Sequence, residues 1–415
     1  MSPPEPRLVV FTTLFPNAGQ PGAGLFVRER MFRVAKVVPL TVVAPIPWFP
    51  FQGLVRKWKP GFRPVAPALE IQDGIEVRHP RFFSVPGAFK WLDGFFMALG
   101  SLPTMLRLRR SFAFNVIDAH FAYPDGYAAT LLGRWLRVPV TITLRGTEVP
   151  LSRDPLRRRR IVTALRRATR VFSVSDSLKR HVVSLGAPGD RILVVGNGID
   201  TGKFRRIDRQ RAREQLGLPA AAPVLISVGA LVERKGFHRV LECLPALRQR
   251  YPGLRYLVVG GASPEGDWRA VLQQRVADLG LQDCVSFLGA LAPDALSVPL
   301  SAADVFVLAT RNEGWANVFL EAMACGLPVV TTDVGGNAEV VANAGLGMLV
   351  PFGDREQLAQ AMAQALDRDW DRDALVAHAE ANGWDHRVAV LTEEFVAIVA
   401  REAGVDLPDR AVHCA

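Results

Sequence analysis

The 415-residue sequence predicts an α/β protein built from two doubly wound domains, and three observations point there. Short β-branched runs alternate with helical patterns along nearly the whole chain, the arrangement of a parallel sheet covered by helices. The alternation comes in two series separated by a charged stretch that ends in LPAAAP. The length, finally, is too great for one hydrophobic core.

In the first series the strands are RLVVFTTLF, LTVVAP, IEVRHP, NVIDAH, VPVTITL, RVFSVS and ILVVGN, with helices starting near Leu25, Phe95, Gly126, Leu156 and Ser177. The second series opens at PVLISVG and continues through RYLVVGG, VSFLG, DVFVLA and PVVTT. Runs with no polar side read as strands buried on both faces. The expected boundaries are a first domain over 1–200, a linker over 201–222, a second domain over 223–384, and a segment 385–415 whose helix runs from Asp385 to about Ala403. Two such domains facing each other would make a cleft, with ligands at the carboxyl ends of the strands.

Hydrophobic residues at 49% and charged residues at 22% are ordinary for a folded chain and exclude a disordered one. The net charge of +10 is carried mainly by arginine, with clusters at 107–110, 157–160 and 205–213. Such charge reads either as an acidic partner or as a basic solvated face. No nucleic-acid motif accompanies it, so the partner expected is an anionic membrane surface or a phosphorylated substrate. Cysteines at 243, 284, 325 and 414 have neither metal nor disulfide spacing and read as cytosolic thiols. The Pro-rich start and the short LVVF run do not read as a signal peptide, so a cytoplasmic chain is expected.

Val37–Val55 is uncharged but holds four prolines, which a lone membrane-spanning helix would not tolerate. Gly94–Leu106 is too short for a span. The segments 47–62 and 89–110 interleave Trp, Phe and Leu with Arg and Lys, and read either as a peripheral contact with an anionic interface or as core residues with a solvated rim.

The stretch 313–339, EGWANVFLEAMACGLPVVTTDVGGNAE, carries the chemistry. Good helix formers between two Gly-containing breaks predict a short helix over Ala316–Ala324, capped by Asn317 or the residue before it. A strand VVTT and a Gly335-Gly336 turn follow. The amides at such a helix start bind anions, and a glycine before it lets a ligand approach the backbone, so Gly314, Trp315, Ala316, Asn317 and Val318 are candidate diphosphate contacts. Glu321 lies about 7 Å along the axis at about 1.5 Å per residue, and its side chain leans back toward the start. Glu321 and Glu313 would then flank a polyol-diphosphate-polyol, which is a nucleotide sugar. Two solvated glutamates are the alternative. Lys235, in VERKGF after a strand, is a compact charge for a phosphate.

EGWANVFLEAMACGLPVV followed by GGNAE resembles the donor-site signature of family-4 retaining glycosyltransferases, which are two-domain GT-B enzymes. The resemblance extends to VVGNGID (194–200), VGALVERKGF (228–237), YLVVGG (256–261), VSFLGAL (285–291) and DVFVLATRNEGW (304–315). LFPNAGQPGAGLFVRERM (14–31) and IDAHFAYPDGYAA (117–129) look like the branch that builds capsular, teichuronic-acid-like and exopolysaccharides.

What the resemblance implies is a transferase with Glu313, Lys235 and His120 at the reacting groups, His120 reaching the donor sugar. It also implies the loop of Gly22 and Gly24 beside phosphate and acceptor, an interdomain turn at Asn197-Gly198, and a terminal helix crossing back to the first domain. The family's arginine after the first glycine of VGALVERKGF is absent, since Ala230 stands there, and Arg234 is the candidate substitute. Arg145 takes the place of a histidine common in relatives, leaving a cation suited to phosphate or carboxylate, or a structural partner of Glu148 or Asp118. No DxD-type pair stands at a strand end, so no metal and no other cofactor is expected, with lysine and the helix dipole in the cation's place.

The expected reaction moves a sugar from a UDP- or GDP-sugar to a polyprenyl-diphosphate-linked glycan at the cytoplasmic membrane face. The competing readings are a catalytically inactive nucleotide-sugar-binding scaffold and a different GT-B chemistry, epimerisation or phosphorolysis.

Overall fold

Strands buried along their whole length organise the two large sheets of the protein, whose computed structural model describes residues 5–58, 62–263 and 265–405. The chain divides into two units, one of residues up to Asn197 together with those from Asp385 onward, the other Gly198–Trp384.

The strands of the first unit are β1 (Leu8–Phe11), β2 (Leu40–Val43), β3 (Ile46–Trp48), β4 (Leu69–Gln72), β5 (Ile75–Arg78), β6 (Arg81–Phe83), β7 (Val116–His120), β8 (Val140–Leu144), β9 (Arg170–Ser173) and β10 (Ile192–Val194). Eight of them form one sheet in the order β10-β9-β8-β7-β1-β2-β5-β4, and β3 pairs with β6 alone. The seven strands read from the sequence are parallel neighbours in this sheet. β4 lies outside the strands that the sequence predicts; it is an antiparallel edge strand, LEIQ, with alternating exposure and so no buried run.

Helix starts follow capping chemistry. Asp154 accepts from the amides of Leu156 and Arg157 ahead of Pro155, so the helix Pro155–Arg167 begins where a proline costs no hydrogen bond. Ser175 does the same for Asp176–Ser184 through the amide of Leu178. The last helix, Trp384–Glu402, packs Val390, Leu391, Phe395, Ile398 and Val399 into the core that also holds Phe15, Val27 and Phe172. Phe395 meets Phe172 edge-on at 5.8 Å, and Arg170 pairs with Glu394 at 2.8 Å.

The second unit holds β11 (Val224–Val228), β12 (Arg255–Val259), β13 (Val285–Gly289), β14 (Val305–Leu308), β15 (Val329–Thr332) and β16 (Gly347–Val350), all parallel, in the order β13-β12-β11-β14-β15-β16. The stretch 201–222, expected as a linker, lies in this unit. It contains the helix Arg209–Gln215, capped by Asp208, whose Arg213 is buried. The Arg213 guanidinium donates to the Ala302 carbonyl at 2.9 Å and pairs with Asp304 at 2.9 Å, and Arg209 pairs with the other oxygen of Asp304. Much of the 205–213 charge is therefore spent inside the chain.

Cys243, Cys284 and Cys325 are free and buried, while Cys414 lies outside the described residues, as do 1–4, 59–61, 264 and 406–415. Among the described residues no helix is long and apolar enough to cross a membrane.

Truncating Phe395 to Ala removes a fully buried ring from the first unit's core and is expected to cost about 3–5 kcal/mol of its stability. Denaturant unfolding measures this, and a loss below about 1 kcal/mol would show that the terminal helix is not part of that core.

Candidate functional site

In the second unit the polar groups gather beyond the carboxyl ends of β11 and β14. β11 runs into VGALVERKGF and β14 into ATRNEGW, and the two loops are stitched together. The Arg234 carbonyl accepts from the Arg311 amide at 2.7 Å and from the Thr310 hydroxyl at 3.1 Å. Gly236 has a φ of +78°, and a Cβ there would stand 1.9 Å from the Ala309 carbonyl oxygen. The Gly335-Gly336 turn after β15 closes on the same loop. Gly335 has a φ of +56°, its absent Cβ would stand 1.8 Å from the Glu313 carbonyl oxygen, and the Gly336 amide donates to that oxygen at 3.2 Å. Left-handed backbone with no room for a side chain leaves only glycine at both positions.

This packing brings together residues 78 positions apart: the Lys235 ammonium lies 2.6 Å from Glu313 Oε1. The same oxygen accepts from Thr310 Oγ1 at 3.1 Å and from Arg234 at 3.3 Å. Glu313 is 9% exposed, and its carboxylate is held by these three donors. Arg234 is also gripped bidentately by Glu265, at 2.6 and 2.7 Å. That bond raises the Arg234 pKa above its usual value and lowers that of Glu265. Glu265 escaped the sequence reading because it sits in the aperiodic loop GASPEGDW, with nothing local to tie it to Arg234.

The helix after the ATRNEGW loop is Asn317–Ala324, with Ala316 as its cap and no side chain closing its start. Gly314 and Trp315 precede it; the indole N–H of Trp315 is buried with no partner among the described residues. Asn317 and Val318 are in the first turn, and Glu321 is half-buried one turn further on. The helix lies between β14 and β15, its Phe319 packed on Phe306 at 5.8 Å.

The first unit carries the other candidates at the ends of β1, β7, β8 and β10. Gly24, with a φ of +67°, caps the helix Leu25–Val34, and a Cβ there would meet the Leu14 carbonyl at 2.1 Å. Gly22 is exposed in an open turn. His120 ends β7 and is completely buried. Arg145 Nη2 donates to its Nδ1 at 3.0 Å, and Asp118 Oδ2 lies 3.3 Å from its Nε2. Because an arginine can only donate, Nδ1 must be the accepting nitrogen and Nε2 carries the proton toward Asp118. Burial pushes the imidazole pKa down to about 4, so it is neutral at physiological pH. Arg145 also donates to Asn197 Oδ1 at 2.7 Å and lies over the Phe26 ring at 5.3 Å. Glu148 takes the Arg145 backbone amide, at 3.3 Å, rather than its guanidinium.

These sites belong to a family of known fold. Residues 208–382 match the family described as glycosyl transferases group 1, and residues 55–203 match glycosyltransferase family 4. The chain belongs to the family-4 glycosyltransferases and has their GT-B fold. It is 33% identical over 361 residues to a D-inositol 3-phosphate glycosyltransferase of Rhodococcus jostii (strain RHA1), covering 80% of this chain and 77% of that one. It is 27% identical over 375 residues to a protein of Bacillus subtilis (strain 168) that carries the name teichuronic acid biosynthesis glycosyltransferase TuaC, covering 87% and 88%. Among solved structures it resembles a sucrose-phosphate synthase from Thermosynechococcus elongatus, with a TM-score of 0.70 at 21% identity over 97% of this chain and 98% of that one. It also resembles Anabaena HepE in complex with UDP, with a TM-score of 0.66 at 22% identity over 96% and 98%.

The stitching of the two loops predicts that Gly236→Ala and Gly335→Ala each destabilise the second unit by more than Gly217→Ala. All three positions are left-handed, which costs an ordinary residue about 1–2 kcal/mol, but only Gly217 has open space where the methyl would go. Equal losses in thermal unfolding for the three variants would show that the close approach contributes nothing.

Proposed function

We propose that this glycosyltransferase moves a hexose from a UDP- or GDP-sugar to a polyprenyl-diphosphate-linked glycan, with retention at the anomeric carbon and without a metal ion, in cell-surface or extracellular polysaccharide synthesis. The observation that carries the reading is the Lys235–Glu313 contact at the strand ends of the second unit. One partner is a cation matched to a diphosphate and the other a carboxylate matched to sugar hydroxyls. A nucleotide sugar takes both, Lys235 turning to phosphate oxygen and Glu313 accepting from a hydroxyl, while Glu321 accepts from the ribose.

In this mechanism the bond from the anomeric carbon to the diphosphate oxygen breaks first. Negative charge grows on the leaving diphosphate, and Lys235, the amides of 316–318 and the helix dipole stabilise it more than they stabilise the intact donor. The acceptor hydroxyl adds to the oxocarbenium-like carbon on the face just vacated, and its proton leaves with the diphosphate. His120, buried and neutral, acts by holding Arg145 in place.

The acceptor side rests on the surface of the first unit. The helix Gln52–Trp58 exposes Leu54 and Trp58, the latter 88% exposed, beside Phe51 and Lys57. The helix Asp93–Ser111 exposes Phe95, Leu99, Leu106, Arg107 and Arg110, with Phe83 stacked edge-on against Phe96 at its flank. Arg109 is exposed on the same rim, with its guanidinium donating to the Phe114 carbonyl and lying over the Phe114 ring. Such a mixture suits a peripheral contact with anionic lipid on the cytoplasmic side.

The donor assignment is tested by variants. Glu321→Gln should weaken UDP-sugar or GDP-sugar binding by about 1.5–3 kcal/mol. Lys235→Ala should lose far more rate than Arg234→Ala, whose side chain is already bound by Glu265, and activity should survive EDTA. Unchanged donor affinity in Glu321→Gln, the reverse order of the cations, or a strict metal requirement would each overturn it.

The acceptor assignment is tested with vesicles. Binding to phosphatidylglycerol-containing vesicles should weaken steeply with salt. Replacing Trp58, Arg107, Arg109 and Arg110 together should lower transfer to a lipid acceptor while leaving donor affinity unchanged. Equal turnover on a water-soluble acceptor, with no vesicle binding at low salt, would refute it.

A further inference from the structure

We infer that Arg145, with Arg30 behind it, forms an oxyanion site in the first unit that takes a carboxylate or phosphate group of a substrate. The inference rests on the transferase reading and names a charge on what is transferred or on what receives it.

Arg30 is completely buried, on the helix Leu25–Val34. Its Nη2 donates to the Val195 carbonyl at 2.7 Å, but Nε and Nη1 have no partner among the described residues. Arg145 is only partly exposed; Nη1 and Nη2 each have one partner, and its buried Nε has none. Neither guanidinium is in contact with a carboxylate among the described residues.

The two acids nearby are committed elsewhere. Asp118 accepts from Thr141 Oγ1 at 2.6 Å and faces His120 Nε2. Glu148 accepts from the Ala122 amide at 2.9 Å and from those of Gly146 and Arg145 at 2.8 and 3.3 Å. One buried and one half-buried cation without a contact ion are costly unless something anionic arrives. The strain is visible in their acidity: burial brings Arg30 down to about 10, and burial together with the Arg30 charge pulls Arg145 well below its ordinary value.

A second feature points to the same place. Phe26, over which the Arg145 guanidinium lies, belongs to the first turn of the helix Leu25–Val34. That helix starts at Gly24 with no side-chain cap and no acidic residue in its first turn. An anion beside Arg145 would therefore meet a helix N-terminus as well as a guanidinium whose Nε is unpartnered and whose Nη atoms each carry one neutral partner, groups suited to an oxyanion. A neutral hexose hydroxyl would leave the charge unpaired. The fitting ligand is a uronic acid or a phosphate ester.

The experiment titrates the full-length protein with inorganic phosphate, D-glucuronate, D-glucose, farnesyl phosphate and farnesol, following the Arg145 Nε–Hε resonance and measuring affinity by calorimetry. UDP is titrated alongside to report on the second unit. Wild type should bind phosphate and at least one organic anion, shift the Arg145 resonance, and ignore glucose and farnesol. Arg145→Gln should lose at least tenfold in anion affinity, and Arg145→Lys should recover part of it. Glucuronate binding without farnesyl phosphate assigns the charge to a sugar; the reverse assigns it to the lipid.

Undiminished anion binding by folded Arg145→Gln, or no shift of the Arg145 resonance, overturns the inference. Should Arg145→Gln fail to fold, the wild-type resonance decides alone. A failure of UDP to bind, or to depend on Lys235, would count against the donor site and leave this result standing.

Discussion

The Glu313 carboxylate is nearly buried, and three donors converge on it: Lys235, Arg234 and the Thr310 hydroxyl. An ionised carboxylate withdrawn from water needs such partners. The requirement shapes the surrounding loops. Gly236 lets one loop press against the Ala309 carbonyl, and Gly335 lets another press against Glu313 itself. The ammonium of Lys235 is compact and rotatable, so it can change partner without moving its backbone. Arg234, forked into Glu265, is less free to do so.

Arginine is abundant in this chain, and the structure sorts it by how its charge is met. In the second unit Arg209 and Arg213 share Asp304, Arg248 pairs with Asp283 and Arg206 with Asp373. These are structural ties, several of them exposed and individually weak. In the first unit Arg30 is buried and Arg145 partly exposed, neither with a contact acid among the described residues, and Arg107 and Arg110 stand in water on a helix with exposed Phe95 and Leu99. The same residue type thus serves as a brace, as an interior cation, and as surface charge. The +10 net charge by itself distinguishes none of these.

Much of the architecture was legible because its signals are local. The strands of both series, the helix starts near Leu156 and Ser177, and the short helix at Asn317–Ala324 follow from periodicity and glycine punctuation. Local signals failed where an element is half-exposed or irregular. β4 alternates at a sheet edge, β3 contains proline, and the helix Arg209–Gln215 reads as charged linker until Asp304 is placed beside Arg213.

The sequence by itself determined the α/β alternation, the family resemblance, and the residue types in the loop before Asn317, since each depends on neighbours a few positions apart. Tertiary structure alone decided that Lys235 meets Glu313 across 78 positions, that Glu265 takes Arg234, and that His120 is buried between Arg145 and Asp118. Those contacts depend on the order of parallel strands and on loops closing over their ends. Strand order and loop closure are properties of the whole sheet, set by packing between segments far apart in the chain, and no short pattern of residues encodes them.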